Sequence, residues 1–167
     1  MPEVLNSAAR SRWYWLMLVA LGLFLEATAL FYQYRLDYYP CVLCIHVRIW
    51  VLGFTLLALL ALFVRRSMPL LVLAHGLNTV MMAGLFERSW KLLGIERGTL
   101  EGTCDFNSGL PPWFALDHWF PAVFEVLESC GYTPELLFGI TMAESLVVLS
   151  AVLVTMSAVL TLAAVRA

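Results

Sequence analysis

The sequence predicts an all-α membrane protein: a bundle of four transmembrane helices with two loops on the outer side, the second long and carrying a short interfacial helix. Three observations predict it. Of the 167 residues, 62% are hydrophobic and 13% charged, and the mean hydropathy is +0.84; soluble domains run near 45–50% apolar and about 25% charged. Four stretches reach the roughly 20 apolar residues that a bilayer crossing needs. The arginines gather at one set of helix ends. A soluble domain of this size could not bury so much apolar surface, which excludes an ordinary water-soluble enzyme. With net charge −2 and ten scattered basic residues, the chain is not a nucleic-acid binder. Its aromatics and aliphatics exclude disorder. Residues 1–167 are read as a single integral membrane domain.

The first span covers about 13–32 and contains one charge, Glu26. Arg10 and Arg12 precede it and Ala27-Thr28-Ala29 imitates a cleavage site, but the apolar run continues through Leu30-Phe31-Tyr32, so a retained helix is expected. The second span covers about 45–64, with Arg48 at its start, and the third about 68–86, with His75 and Asn78. Only Arg65, Arg66 and Ser67 separate these two, so they form an antiparallel hairpin. The fourth covers about 141–165, with Glu144 near its start.

Four spans put both termini on one side. Arg10, Arg12, Arg65, Arg66 and Arg166 mark that side as cytoplasmic, because short flanks rich in Lys and Arg stay inside. The loops at about 33–44 and 87–140 then lie outside. Trp13, Tyr14 and Trp15 suit one aromatic belt; Tyr32, Tyr34, Tyr38 and Tyr39 suit the other. The second loop carries a Pro- and aromatic-rich run from Pro111 to Phe124. It is too interrupted to span. It suits a short amphipathic helix on the outer leaflet, with Trp113, Leu116, Trp119 and Phe120 facing lipid, or equally a segment packed on the bundle.

Cys41, Cys44, Cys104 and Cys130 all fall on the outer side. In a bacterium that side is the oxidising periplasm, where disulfides persist. Cys41-Val42-Leu43-Cys44 is a C-x-x-C motif, a spacing that is redox-active or metal-binding more often than a structural staple. Zinc needs four ligands; His46 is near, but Cys104 and Cys130 do not form a second ligand pair by spacing, so no metal is assigned. A disulfide across 41–44 closes too small a loop to add much stability. Pro40 suits a helix start, which places Cys44 in the first turn, where the positive helix end favours a thiolate. Arg48, four residues on, shares the face of Cys44 one turn deeper. A charge there is either functional or snorkels to the headgroups. Cys104 and Cys130 are a structural staple, worth roughly 3–4 kcal/mol by loop entropy, or a second redox pair made accessible by Gly102, Thr103, Asn107, Ser108 and Gly109.

Two redox pairs on one face suggest a relay, and a relay needs an electron sink. If the protein regenerates a strongly oxidising periplasmic dithiol carrier, whose couple lies near −120 mV, the sink must be stronger still. No Rossmann, haem or iron–sulfur signature is present in the sequence. A lipid quinone is the oxidant available within the bilayer.

Glu26-Ala27-Thr28-Ala29-Leu30, Tyr39-Pro40-Cys41-Val42-Leu43-Cys44-Ile45 with Arg48, Thr103-Cys104-Asp105-Phe106, Pro112-Trp113 with Leu116-Asp117 and Trp119, and Cys130 together resemble the disulfide bond formation protein B (DsbB) family over nearly the whole chain. The resemblance implies a thiol oxidase of the bacterial inner membrane, dependent on ubiquinone or menaquinone. It implies a periplasmic, thioredoxin-like partner of the DsbA kind. By carry-over, Cys104 forms the mixed disulfide with that partner and Cys130 resolves it or passes the electrons on. Cys41 exchanges with the loop pair. Cys44 faces the quinone, in a charge-transfer contact or adduct, and Arg48 polarises the quinone carbonyl and stabilises negative charge. Two positions depart from the family. Val47 stands where some members carry an acid before the Arg. Glu87-Arg88-Ser89-Trp90-Lys91 stands where some carry a quinone-contacting His, leaving Lys91 as a substitute donor.

His75 and Asn78 are read as interhelical hydrogen-bonding groups, with a proton path as the lesser alternative. Glu26 is read as structural, protonated or paired within the bundle, and Glu144 as solvated. The alternatives to the quinone-linked oxidase are a specialised paralogue serving one dedicated partner and a non-catalytic membrane scaffold stapled by two disulfides.

Overall fold

A computed structural model of the chain describes residues 7, 9–101, 107–137 and 139–166. Three long helices come first: α1 (Arg12–Arg35), α2 (Val42–Val64) and α3 (Met68–Glu96). A 3₁₀ turn at Pro112–Phe114, two single-turn helices, α4 (Leu116–Trp119) and α5 (Pro121–Phe124), and an antiparallel pair of strands, β1 (Glu135–Leu137) and β2 (Ile140–Thr141), follow. The last long helix is α6 (Met142–Val165). All four long helices are long and apolar enough to cross a membrane, so the chain is an all-α, multi-pass membrane protein.

The helix starts follow local chemistry. Ser11 Oγ accepts the Trp13 N–H at 3.2 Å. α3 starts after Ser67 with a proline in its first turn, whose fixed φ suits a helix start, and without a side-chain cap bond from Ser67. Thr141 and Glu144 form a capping box on α6: the Glu144 N–H donates to Thr141 Oγ1 at 3.3 Å and the Thr141 N–H to Glu144 Oε2 at 3.1 Å. Glu144 also accepts from Arg97 at 2.6 Å, so it is more than a solvated charge. Between α1 and α2 the chain reverses at Asp37, whose φ of 56° lies in the left-handed region that a short polar residue tolerates.

α3 runs beyond Phe86 to Glu96. No proline falls between Phe86 and Gly98, and Glu87 and Lys91 pair one turn apart at 2.5 Å. The second loop therefore begins at Arg97 rather than at residue 87.

α6 packs on α3, α3 on α2 and α2 on α1. Trp15, Phe54, Leu71, Met82, Leu85 and Leu153 fill the middle. Helices meet at small residues, as expected where lipid provides no hydrophobic drive. Gly22 of α1 lies so close to α2 that a Cβ there would overlap Thr55 Oγ1. In the half away from the cysteines a polar seam joins α1, α3 and α6. Asn78 Nδ2 donates to Tyr14 Oη at 3.1 Å and to Ser157 Oγ at 3.0 Å. Thr79 Oγ1 lies 2.9 Å from the hydroxyls of both Ser157 and Thr161. His75 Nε2 donates to the Ala9 carbonyl at 2.9 Å. The bonds from Asn78 and Thr79 are interhelical, the role expected of His75 and Asn78.

The aromatic run of the outer loop divides. Trp113, Trp119 and Phe120 are exposed, as a lipid-facing surface requires, whereas Leu116 packs against Ile45, Phe124 and Val126. In place of the single expected helix, Phe120 leaves the helical backbone (φ −135°, ψ 64°) just before Pro121, giving two four-residue turns.

Candidate functional site

α2 begins at Val42, which makes Cys41 its N-cap. Cys41 Sγ accepts the Cys44 N–H at 3.4 Å and lies 2.9 Å from Cys44 Sγ. Both are free thiols, and Cys41 is buried. The sulfur that receives the helix-end N–H is thus Cys41, not Cys44 as the sequence suggests, because the cap position precedes the first helical residue. The hydrogen bond from the Cys44 thiol, seconded by the N–H groups of the first turn, holds the Cys41 thiol below the ordinary thiol range despite its burial.

Cys44 and Arg48 both face a cavity of about 570 Å³ between α1, α2, α6 and the segment following Cys130. Leu25, Leu146 and Leu149 give it apolar walls, while Cys44, Arg48 and Glu26 bring polar groups into it. That combination of apolar wall and few convergent polar groups is typical of a small-ligand site. Tyr38 and Tyr132 also line it, their rings stacked 6.1 Å apart.

Arg48 is only 5% exposed. It does not snorkel; its Nη1 donates to Gln33 Oε1 and to the Val123 carbonyl, each at 2.7 Å, and its Nη2 to the Ala29 carbonyl at 3.3 Å. Gln33 Nε2 donates in turn to the Ala122 carbonyl at 3.3 Å. Gln33 escaped the sequence reading because it sits among interfacial tyrosines; the available signal was its position four residues after Ala29 and seven after Glu26, on one helix face. Glu26 lines the cavity, and its Oε1 is buried with no hydrogen-bond partner among the described residues. The sequence reads it as structural; the fold sets it in the cavity wall.

Further bonds hold the outer loop over the ends of α1 and α2. The Leu127 N–H donates to the Pro40 carbonyl at 3.1 Å. His46, the nearby metal-ligand candidate, donates from Nε2 to the Ser108 carbonyl at 2.8 Å. Ser108 Oγ donates to Asp117 at 2.6 Å, which holds that carboxyl below its usual range.

Cys130 is disulfide-bonded and packs on the cluster of Cys41, Leu43, Leu92 and Ala143. Thr133, three residues on, donates to both oxygens of Glu96 at 3.1 and 3.0 Å, anchoring this segment to α3. Cys41, Cys44 and Cys130 therefore converge at one end of the bundle. Cys104, with the rest of Thr103-Cys104-Asp105-Phe106, lies outside the described residues. Lys91 pairs with Glu87 and does not line the cavity.

Four apolar spans with a C-x-x-C dithiol set against a cavity at one end define a multi-pass membrane protein built for thiol–disulfide chemistry. The family model described as Disulfide bond formation protein DsbB matches residues 11–160. A Disulfide bond formation protein B of Haemophilus influenzae is 31% identical over 166 residues, 98% of this chain and 93% of that protein. Proteins of the same name from Shewanella denitrificans (34% identical; 83% of this chain, 78% of that protein) and Shewanella loihica (33% identical; 87% and 86%) are also similar. The chain belongs to the DsbB family. It is a membrane oxidoreductase of disulfide bond formation.

Proposed function

We propose that the protein is a thiol:quinone oxidoreductase of the bacterial inner membrane. It reoxidises a periplasmic, thioredoxin-like dithiol oxidase of the DsbA kind and passes the electrons through two cysteine pairs to a membrane quinone, ubiquinone or menaquinone. The cysteine end faces the periplasm and both termini the cytoplasm. One observation carries this reading: the Cys41–Cys44 dithiol has Cys44 and Arg48 in the wall of a membrane-embedded cavity while Cys130 packs on the Cys41 cluster. The cavity's volume and apolar walls fit a ring with a lipid tail, and the unpartnered Glu26 oxygen and the Arg48 guanidinium fit its polar ring oxygens.

A bound quinone supplies a two-electron, two-proton acceptor. Cys104, paired with Cys130, takes the attack of the partner's thiolate; the partner's second thiol then displaces Cys104 and the partner leaves oxidised, while the freed Cys130 thiol passes the electrons on. The reduced loop pair is reoxidised by a Cys41–Cys44 disulfide, attacked at Cys41 with Cys44 leaving as the thiolate, so that the electron pair passes to the C-x-x-C sulfurs. Cys44 presents its sulfur to the cavity. Arg48, fixed by three hydrogen bonds, holds positive charge where negative charge develops and so needs no reorganisation during the reaction.

The test mixes purified protein with reduced partner and a soluble quinone and follows quinone absorbance. Catalytic loss of the quinone band is expected, abolished by replacing Cys41, Cys44, Cys104 or Cys130 singly by Ser without unfolding the bundle. A disulfide-stapled scaffold would show altered stability in those variants and no coupled oxidation to lose.

A further inference from the structure

One side chain in the cavity wall has no part in the relay. Glu26, Ala29 and Gln33 are spaced three and four residues apart, so they share one face of α1. Arg48 satisfies two of these three positions, through the Gln33 side chain and the Ala29 carbonyl. Glu26 lies one turn deeper and receives no donor: its Oε1 is buried without a hydrogen-bond partner among the described residues. One turn deeper again, Gly22 lets α1 close against Thr55 and Phe54 of α2, so the carboxyl sits above the point where the two helices meet. An unsatisfied polar group in such surroundings is costly, and within a membrane helix it points to function.

We propose that Glu26 is a catalytic residue of quinone reduction: the acid that hands a proton to the ring oxygen lying deepest in the cavity. The proposal rests on the quinone-linked reading above. As their S–S bond forms, Cys41 and Cys44 give up an electron pair and two thiol protons, all delivered to the two ring oxygens to yield the quinol. Glu26 passes its proton to one oxygen and regains one from the thiol pair, so it ends each turnover unchanged. The second thiol proton goes to the other oxygen. Arg48 cannot take this role because a guanidinium does not release its proton. Glu128, the other carboxyl of the lining, is exposed.

Glu26→Gln keeps the size and polarity of the side chain and removes the transferable proton. General acid catalysis contributes about 10²–10⁴-fold, so single-turnover quinone reduction from the dithiol form is expected to slow by about 10²-fold. Quinone affinity, titrated by tryptophan fluorescence, is expected to change far less than this rate, because Gln keeps a polar group facing the ring oxygen. A second readout does not depend on turnover. Infrared difference spectra of the wild-type protein with and without a soluble quinone are expected to show a shifted carboxylic-acid carbonyl band. That band should move with isotope-labelled glutamate and vanish in Glu26→Gln. Should the variant not fold, the labelled wild-type spectrum decides alone. A wild type that reduces quinone but shows no such shift, or a variant that matches its rate, overturns the role of Glu26 and leaves the quinone reading standing. A wild type that neither binds nor reduces quinone overturns both.

Discussion

Arg48 of the second helix is held by Gln33 of the first, Nη1 donating to Oε1 at 2.7 Å. The same nitrogen donates to the Val123 carbonyl at 2.7 Å. One guanidinium thus joins α1, α2 and the outer loop, and its orientation toward the cavity depends on Gln33, which does not line that cavity. Positioning and chemistry are divided between two helices.

Gln33→Ala should therefore act through Arg48. It leaves a buried charged donor short of a partner, at a cost of about 1–3 kcal/mol, read as a lower melting temperature in detergent. Quinone affinity should fall with it. Arg48→Lys keeps the charge but loses the planar fork that reaches three acceptors. Its quinone affinity should resemble that of Arg48→Ala, while trapping of the mixed disulfide at Cys104 stays normal. A Lys variant that binds quinone as well as wild type would show that charge alone suffices.

Cys41 carries a second prediction. The Cys44 thiol and the N–H groups of the helix end hold the Cys41 thiol low, so the first proton leaves the reduced pair below the usual thiol value of about 8.5. Cys44→Ala removes the largest contribution and should raise the midpoint of thiolate absorbance toward that value; Cys44→Ser, which keeps a donor, should fall between. Because the folded value lies below the unfolded one, ionised Cys41 contributes stability that is full above the unfolded thiol range. That stability is lost as pH falls through the lowered folded value. The melting-temperature advantage of reduced wild type over Cys41→Ala should thus grow from neutral to alkaline pH. A constant gap would contradict the assignment.

The spans, the Arg65–Ser67 hairpin and the shared face of Cys44 and Arg48 were legible because each depends on local composition or on spacing along one helix. The partners of Arg48 were not: Gln33 and the Val123 carbonyl lie 15 and 75 residues away, and only folding brings them together. The capping sulfur was misplaced because starting α2 at Val42 moves the cap to Cys41. α3 outran its expected end because its outer turns remain good helix without being apolar. Glu26 could be recognised as costly from sequence, but not as a wall of the cavity.

Asn78 tests whether the seam at the opposite end is purely structural. It donates to Tyr14 and Ser157 across two interfaces. Interhelical hydrogen bonds in bilayers average about 0.6 kcal/mol, so Asn78→Ala should cost about 1 kcal/mol. The melting temperature should fall while quinone reduction by reduced partner keeps its rate. A slowed rate with an intact fold would instead favour a proton path through His75 and Asn78.

The contact between Gly22 and Thr55 sets how closely α1 approaches α2, and so how far Glu26 and Gln33 stand from Arg48. A methyl at Gly22 would overlap Thr55 Oγ1 and come within 3.1 Å of Phe54 Cε2. The Thr55 hydroxyl cannot swing away freely, since it donates to the Val51 carbonyl at 2.6 Å. Gly22→Ala should therefore push the helices apart, at the roughly 1–3 kcal/mol typical of overpacking, and lower quinone affinity by loosening the Arg48 contacts to Ala29 and Gln33 two and three turns above. Thr55→Ala removes the overlapping oxygen. In its background the same Gly22 change should cost much less in stability and restore most of the quinone affinity, a coupling that a double-mutant cycle measures directly. If Gly22→Ala is equally harmful with and without Thr55, the spacing of the two helices is set elsewhere.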